Sequence, residues 1–211
     1  MNDPPHRGGV IAAGGRSTRF GERDKVLAEL AGIPMIRRVA ERLSMVVDTL
    51  ILNCRADQTA AIERVLAGLE VEFAEDTDPD SGPMAGVHTG LRALDTDYAA
   101  VVAADMPFVE PEFLSHLFDR AAGHDAAIPR HDGWLQPTQA VYRTDTMADA
   151  CATSLSRGDR ALRAALSSLD PVVIEEAELP DHVAPATFTN ANTPEEFAAA
   201  ERTIETERDS L

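Results

Sequence analysis

Lysine is almost missing from this chain. Of the 19 basic residues among 211, all but Lys25 are arginines. Arginine presents a planar fork, whereas lysine is a compact point charge that can be set on a phosphate oxygen. The single lysine either marks a position where an ammonium is needed or is a survivor in an arginine-biased genome, and the glycines ahead of it favour the first. Cysteine is nearly as scarce: Cys54 and Cys151 stand far apart with no second cysteine nearby. That spacing excludes a disulfide framework and a zinc pattern, and predicts buried or inert thiols in a reducing compartment. No apolar run approaches membrane-spanning length. Met1 to Gly9 lacks the apolar segment of a signal peptide; residues 1–8 are expected to be a short disordered lead-in, with the folded domain running from 9 to 206. The chain is expected to be soluble and cytoplasmic.

What is abundant is acid. Thirty-six acidic residues against 19 basic ones give a net charge of −17. This makes nucleic acid and anionic membrane surfaces poor partners, and neither is expected. Strong acidity with hardly any lysine suggests a salt-rich, halophilic cytosol, where a carboxylate surface stays solvated and its self-repulsion is screened.

The hydrophobic pattern alternates between strand and helix. Val10 to Ala13 reads as a short buried strand entering a glycine loop. Pro34 opens a helix with Ile36, Val39, Ala40, Leu43 and Val47 on one face. Strands follow at Thr49–Asn53 and Val71–Ala74, around a helix striped by Ile62, Val65, Leu66 and Leu69. An acidic loop, Glu75 to Pro83, leads to a helix through Val87, Leu91 and Leu94. The most apolar strand, Tyr98–Ala103, ends in Asp105-Met106-Pro107, and Pro111 starts a helix carrying Phe113, Leu114, Leu117 and Phe118. Beyond it lie strands near Ala126–Pro129 and Gln139–Tyr142 and helices around Thr146 and Leu162. Thr187-Phe188-Thr189 reads as a last short strand. Thr193-Pro194-Glu195-Glu196 is a capping box with proline at the first helical position, so the final helix begins there. With no repeat and no linker, the pattern predicts one α/β domain: a Rossmann-like, mostly parallel, twisted sheet with helices on both faces. Ligands of such folds sit beyond the carboxyl ends of the strands, where the Gly14 loop, Asn53, Asp76 and Asp105 all fall.

The glycine loop is neither common phosphate motif. Gly21 is followed by Glu22-Arg23 rather than Lys-Ser/Thr, and the glycines are adjacent rather than alternating. Paired Gly14-Gly15 lets backbone N–H groups approach phosphate oxygens, and Arg16, Arg19 and Lys25 add positive charge. Asp105 follows an apolar strand, where an unpartnered carboxylate is costly. It is a candidate Mg²⁺ ligand or, alternatively, a turn aspartate ahead of Met106-Pro107. Asp76 is either a ligand contact or part of a solvated loop. Asn190 and Asn192, two apart in an extended segment, offer paired amides to a ligand or serve as caps and turns. The histidines have no HExxH or other ligand spacing. Trp134 with Gln136-Pro137-Thr138 covers a ligand or fills a core.

Taken in order, Ala12-Ala13-Gly14-Gly15-Arg16-Ser17, Arg19-Phe20-Gly21, Asp24-Lys25, Gly82-Pro83-Met84-Ala85-Gly86, Asp105-Met106-Pro107 and Asn190-Ala191-Asn192-Thr193-Pro194-Glu195-Glu196 resemble the molybdenum cofactor guanylyltransferase family. That family lies within the nucleotidyltransferases that begin with a glycine-rich signature. The match runs from about Val10 to Phe197. The first block marks only the larger group, while the Gly-Pro-x-Ala-Gly and Asn-x-Asn-Thr-Pro-Glu-Glu blocks narrow it.

The resemblance implies a fold of the nucleotide-diphospho-sugar transferase type. It also implies transfer of GMP from GTP to the phosphate of molybdopterin or its molybdenum form, with release of pyrophosphate. GTP and the pterin would be the substrates, and molybdoenzymes or their chaperones the recipients of the product. Residue by residue, Ala12, Ala13, Gly14, Gly15 and Lys25 would hold the GTP phosphates and the near edge of the nucleotide. Asn53 and Asp76 would contact the guanosine, Asp105 would bind Mg²⁺, and Asn190 and Asn192 would lie near the pterin phosphate. Lys25, Arg19 and Asp105 would carry the transfer. Ala12 departs from the family's usual leucine, which should alter packing near the base more than chemistry. A CTP-dependent molybdopterin cytidylyltransferase shares the Ala-Ala-Gly frame; a guanylyltransferase for a cobalamin precursor lacks the late asparagine block. A non-catalytic nucleotide- or cofactor-binding relative would have lost the charged residues.

Overall fold

The computed structural model describes residues 6–14, 25–76, 82–180 and 183–209. Its elements, in chain order, are β1 (Arg7–Ala12), a 3₁₀ turn at Lys25–Leu27, β2 (Glu29–Leu30), β3 (Ile33–Pro34), α1 (Met35–Leu43), β4 (Thr49–Cys54), α2 (Ala56–Val65), β5 (Glu72–Glu75), α3 (Pro83–Arg92) and β6 (Tyr98–Ala103). Then come α4 (Pro111–Ala121), β7 (Ala126–His131), β8 (Trp134–Leu135), β9 (Gln139–Arg143), α5 (Thr144–Ser156), α6 (Leu162–Leu166), β10 (Pro171–Ile174), 3₁₀ turns at Glu176–Glu178 and Pro185–Phe188, and α7 (Pro194–Asp209).

The main sheet runs β10-β7-β9-β6-β1-β4-β5, with β8 paired to β7. β1 lies parallel to both β4 and β6, β4 to β5, and β10 to β7. β9 runs against both neighbours, β6 and β7. β7 therefore points the same way as β6 and β1, and its carboxyl end lies at the same edge of the sheet.

Alternation along the strands sorts side chains into two cores. On one face Ile11, Leu50, Leu52, Ala100 and Val102 pack with Ile36, Val39 and Leu43 of α1, Ile62 of α2, and Phe113, Leu114 and Leu117 of α4. On the other, Val10, Ala99, Val101, Ile128 and Tyr142 meet Met84, Val87 and Leu91 of α3, Met147 and Cys151 of α5, and Leu162 and Ala165 of α6. This two-faced burial is what continuous apolar strands such as Tyr98–Ala103 demand. α7 closes a third cluster, in which Ala200 and Ile204 cover Leu30, Met35 and Phe108.

Several local features differ from the reading of the pattern, the two-residue strands β2, β3 and β8 among them. β1 begins at Arg7, inside the stretch expected to be a lead-in; the Arg7 N–H donates to Asp48 Oδ2 at 2.8 Å. Thr187-Phe188-Thr189 is no strand: Pro185 opens a 3₁₀ turn, closed by Thr187 N to Ala184 O and Thr189 N to Ala186 O, both 2.9 Å. The Thr187 hydroxyl accepts from Gln139 Nε2 at 2.8 Å and from the Glu110 N–H at 3.1 Å, tying the turn to β9 rather than to a ladder. The pattern also missed β10, an edge strand whose proline is its first residue, where no ladder donor is needed. Both cysteines are buried, and desolvation raises both thiols, Cys151 to about 12.

Candidate active site

At the carboxyl edge of the sheet the strand ends are laced together. Ala13 N–H donates to Asn53 O at 2.9 Å, Asp76 N–H to Cys54 O at 2.9 Å, and Ala104 N–H to Ala12 O at 3.1 Å. The Ala13 amide is thus already engaged, and Gly14 is the first residue of the loop whose N–H no described backbone carbonyl takes. Two groups of side chains stand on this edge.

The first sits over β1, β4 and β5. Asn53 is completely buried at the end of β4, and its Nδ2 donates to Asp76 Oδ1 at 2.7 Å and to Ala74 O at 3.0 Å. With both amide hydrogens used, Asn53 Oδ1 has no hydrogen-bond partner among the described residues. Two glycines explain how the pair fits. A Cβ on Gly14 would overlap Asp76 Oδ2, and one on Gly86 of α3 would overlap Asn53 Oδ1. Any side chain at either position would displace the polar pair. Burial raises the Asp76 carboxyl above the ordinary aspartate range, opposed by the hydrogen bond from Asn53 and the nearby Arg55 charge. A desolvated carboxylate and an unpaired amide oxygen are both acceptors, so this pocket suits a ligand rich in N–H and O–H donors.

The second group lies at the end of β6, one strand spacing from β1. Lys25 Nζ donates to Asp105 Oδ2 at 2.7 Å and to Asn192 Oδ1 at 2.9 Å. The pair is largely withdrawn from water, with side-chain exposures of 11% for Lys25 and 18% for Asp105. Asp105 Oδ1 is buried with no hydrogen-bond partner among the described residues. Lys25 stands on a 3₁₀ turn, Asp105 follows β6, and Asn192 is delivered by the cap of α7. Ala191 N–H donates to Asp105 O at 2.9 Å, while the Asn192 and Thr193 amides donate to Glu196 Oε2 at 2.6 and 3.0 Å. The Thr193 hydroxyl accepts from Glu196 N–H at 3.2 Å, completing the capping box read from the sequence.

The structure therefore joins Lys25, Asp105 and Asn192 in one cluster and Gly14, Asn53 and Asp76 in another, with Ala12 at the end of the strand between and Ala13 just beyond it. Asn190 does not share the bond of Asn192 to Lys25; it is half-buried. Gly15 and Arg19 lie outside the described residues, as does the acidic loop at 77–81. Two residues at this edge were not among the candidates read from the sequence. Gly86 belonged to a quoted motif, and only the fold shows that it faces Asn53. His131 has no ligand spacing in sequence, yet it comes together with Asp132 and Glu176, their ligand atoms within 4.8 Å of one another. That cluster is paired internally, His131 Nδ1 lying 3.2 Å from Glu176 Oε1.

An unpaired buried carboxylate oxygen beside an ammonium suits a divalent cation shared with phosphate oxygens, and the donor set fits Mg²⁺. Asp105 would hold the ion through Oδ1. The arrangement can receive a nucleoside at one cluster and its phosphates at the other.

A family model described as a MobA-like NTP transferase domain matches residues 9–172. A relative from Natronomonas pharaonis named "Probable molybdenum cofactor guanylyltransferase" is 50% identical over 194 residues, covering 92% of this chain and 96% of its own. One of the same name from Haloferax mediterranei is 39% identical over 193 residues, 92% of each chain. The solved structure of molybdopterin-guanine dinucleotide biosynthesis protein A from Archaeoglobus fulgidus superposes with a TM-score of 0.79 at 32% identity, over 95% of this chain and 99% of that one.

Proposed function

This chain belongs to the MobA-like NTP transferase family, and from that premise we propose that it transfers GMP from GTP to the terminal phosphate of molybdopterin or its molybdenum form. A pterin phosphate oxygen attacks the α-phosphorus of GTP. A new P–O–P linkage forms, the bond to the β-phosphate breaks, and pyrophosphate leaves with the electron pair. The nucleophile is already ionised, so no side-chain general base is needed. The obstacle is the approach of two anions.

The observation that carries this reading is the convergence of Lys25, Asp105 and Asn192 from three distant parts of the chain. Lys25 would neutralise charge on the α- and β-phosphates, leaving Asp105 as they bind. Gly14 and Gly15 would bring backbone N–H groups to the β- and γ-phosphates, and Arg19 would add charge there. Asp105 would hold Mg²⁺, which supplies charge neutralisation and orients the phosphates for in-line displacement. Asp76 would accept the N–H donors along guanine's pairing edge, and Asn53 Oδ1 would accept another donor of the nucleoside. Cytosine lacks that run of donors, which supports GTP over CTP. Asn190 and Asn192 would meet the acceptor phosphate, and the product would pass to molybdoenzymes or their chaperones.

The test is pyrophosphate release from GTP and, separately, from CTP, with Mg²⁺, molybdopterin and high salt. Pterin-dependent release from GTP alone is expected. Release from CTP would overturn the base assignment, and silence with both nucleotides would overturn the transfer itself.

A further inference from the structure

Beyond assigning the reaction, we propose that Trp134 is the platform on which the planar pyrimidinone face of the acceptor's pterin stacks; the identity of that acceptor rests on the guanylyltransferase reading. The division of the sheet comes first. Gly14, Asn53 and Asp76 occupy the half built from β1, β4 and β5, and the Lys25–Asp105 pair stands at β6. A nucleotide so seated leaves the acceptor the other half of the same edge, over β6, β9 and β7. Because β7 runs parallel to β6, the turn that follows it opens on that edge. This turn, Asp132-Gly133, has φ of 49° and 77° and leads directly into Trp134. Next along the chain, Thr138 O accepts from the N–H of Ala103, two residues before Asp105.

Trp134 is 71% exposed, and it is the chain's only tryptophan. Among the described residues the other large apolar side chain as exposed, Met45, lies between α1 and β4, at the opposite edge of the sheet. Trp134 is also firmly presented. Gln136 Nε2 donates to Trp134 O at 3.1 Å, Gln136 N–H to Pro129 O at 2.9 Å, and Asp132 N–H to Glu176 Oε1 at 2.6 Å. The His131 ring stacks on Phe188, centroids 4.5 Å apart and 18° from coplanar. Phe188 ends the turn just ahead of Asn190 and Asn192. His131 pairs with Trp134 across the hairpin and stacks on Phe188, so a chain of neighbours links Trp134 to the segment that carries the asparagines assigned to the acceptor phosphate. The pterin substrate carries a phosphate at one end and, at the other, a fused ring system with a planar pyrimidinone face, and an exposed indole on a fixed backbone is suited to that face.

The lone tryptophan makes the test direct, because its emission reports one site. Titration with molybdopterin should quench the fluorescence of the wild-type protein, and titration with GTP should not. Trp134→Ala should raise the KM for molybdopterin about tenfold, the loss expected when one stacking partner is removed. GTP affinity by equilibrium dialysis and kcat at saturating pterin should stay within about twofold, a difference too small to reflect a lost phosphate contact. Trp134→Phe should restore most of the lost affinity. An unchanged molybdopterin KM in Trp134→Ala would overturn the proposal, as would an equal weakening of GTP binding, which would mark a distorted hairpin. Pyrophosphate release by the wild type judges the transferase reading separately. Should that release be absent, titration with a pterin phosphate still decides the stacking: quenching supports it, and no quenching overturns it.

Discussion

At Lys25 the chemistry asks for a point charge in a confined place. Its ammonium reaches Asp105 and Asn192 with 11% of the side chain exposed. A guanidinium is wider, keeps its charge in a plane and cannot be set on one carboxylate oxygen and one amide oxygen in the same space. Lys25→Arg should lower kcat at least tenfold, and Lys25→Ala about a hundredfold or more, the usual loss when a preorganised charge is removed from a transfer site. Circular dichroism should show the fold retained in both. A fully active Lys25→Arg would mean that any cation suffices, and that the solitary lysine has no chemical reason. Asp105 is more exacting still. Its unpaired oxygen would be lost in Asp105→Ala, leaving a buried ammonium with only the Asn192 amide as partner among the described residues.

Among the elements, α7 does more than cover Leu30 and Met35. Its capping box fixes Asn192, because Glu196 takes the amides of both Asn192 and Thr193. Thr193→Ala removes the reciprocal half of that box. It should cost about 1 kcal/mol, as lost N-caps do, and lower Tm by roughly 2–4 °C in a domain of this size. Since Asn192 also receives the Lys25 ammonium, kcat should fall with stability; a Tm loss with unaltered turnover would separate the helix from the site. β9 serves in a similar way. Its buried Gln139 holds Thr187, and with it the turn that precedes the two asparagines.

For the molecule as a whole, charge sets the working conditions. A net charge of −17 makes the folded surface repel itself, and salt screens that repulsion within a Debye length that falls to about 3 Å at 1 M. Relatives in Natronomonas pharaonis and Haloferax mediterranei fit a chain built for such a medium. The melting temperature should rise steadily from low salt to molar KCl. The Lys25–Asp105 pair, being largely buried, should be screened far less, so activity corrected for folded fraction should change less than Tm. A melting temperature indifferent to salt would contradict the reading of the acidic surface.

The division of labour between sequence and fold is visible in particular residues. Strand–helix alternation, the proline at the head of each of several helices and the capping box at Thr193 are local signals. They are set by backbone sterics and by side chains within a turn of one another, so the sequence by itself determined most elements and the two-faced sheet. It also singled out Lys25, because rarity needs no coordinates. It could not tell a strand from a 3₁₀ turn at Thr187, where hydrogen bonds from Gln139 and Glu110, 48 and 77 residues away, make the decision. Nor could it find β10, too short and too close to an edge to carry a period. Only the tertiary structure decided that Lys25 meets Asn192 across 167 residues of chain, that Gly86 must be small because Asn53 lies against it, and that Trp134 faces solvent at the carboxyl edge of the sheet rather than filling a core. Those contacts depend on strand order and direction, and many orders are compatible with the same run of local patterns.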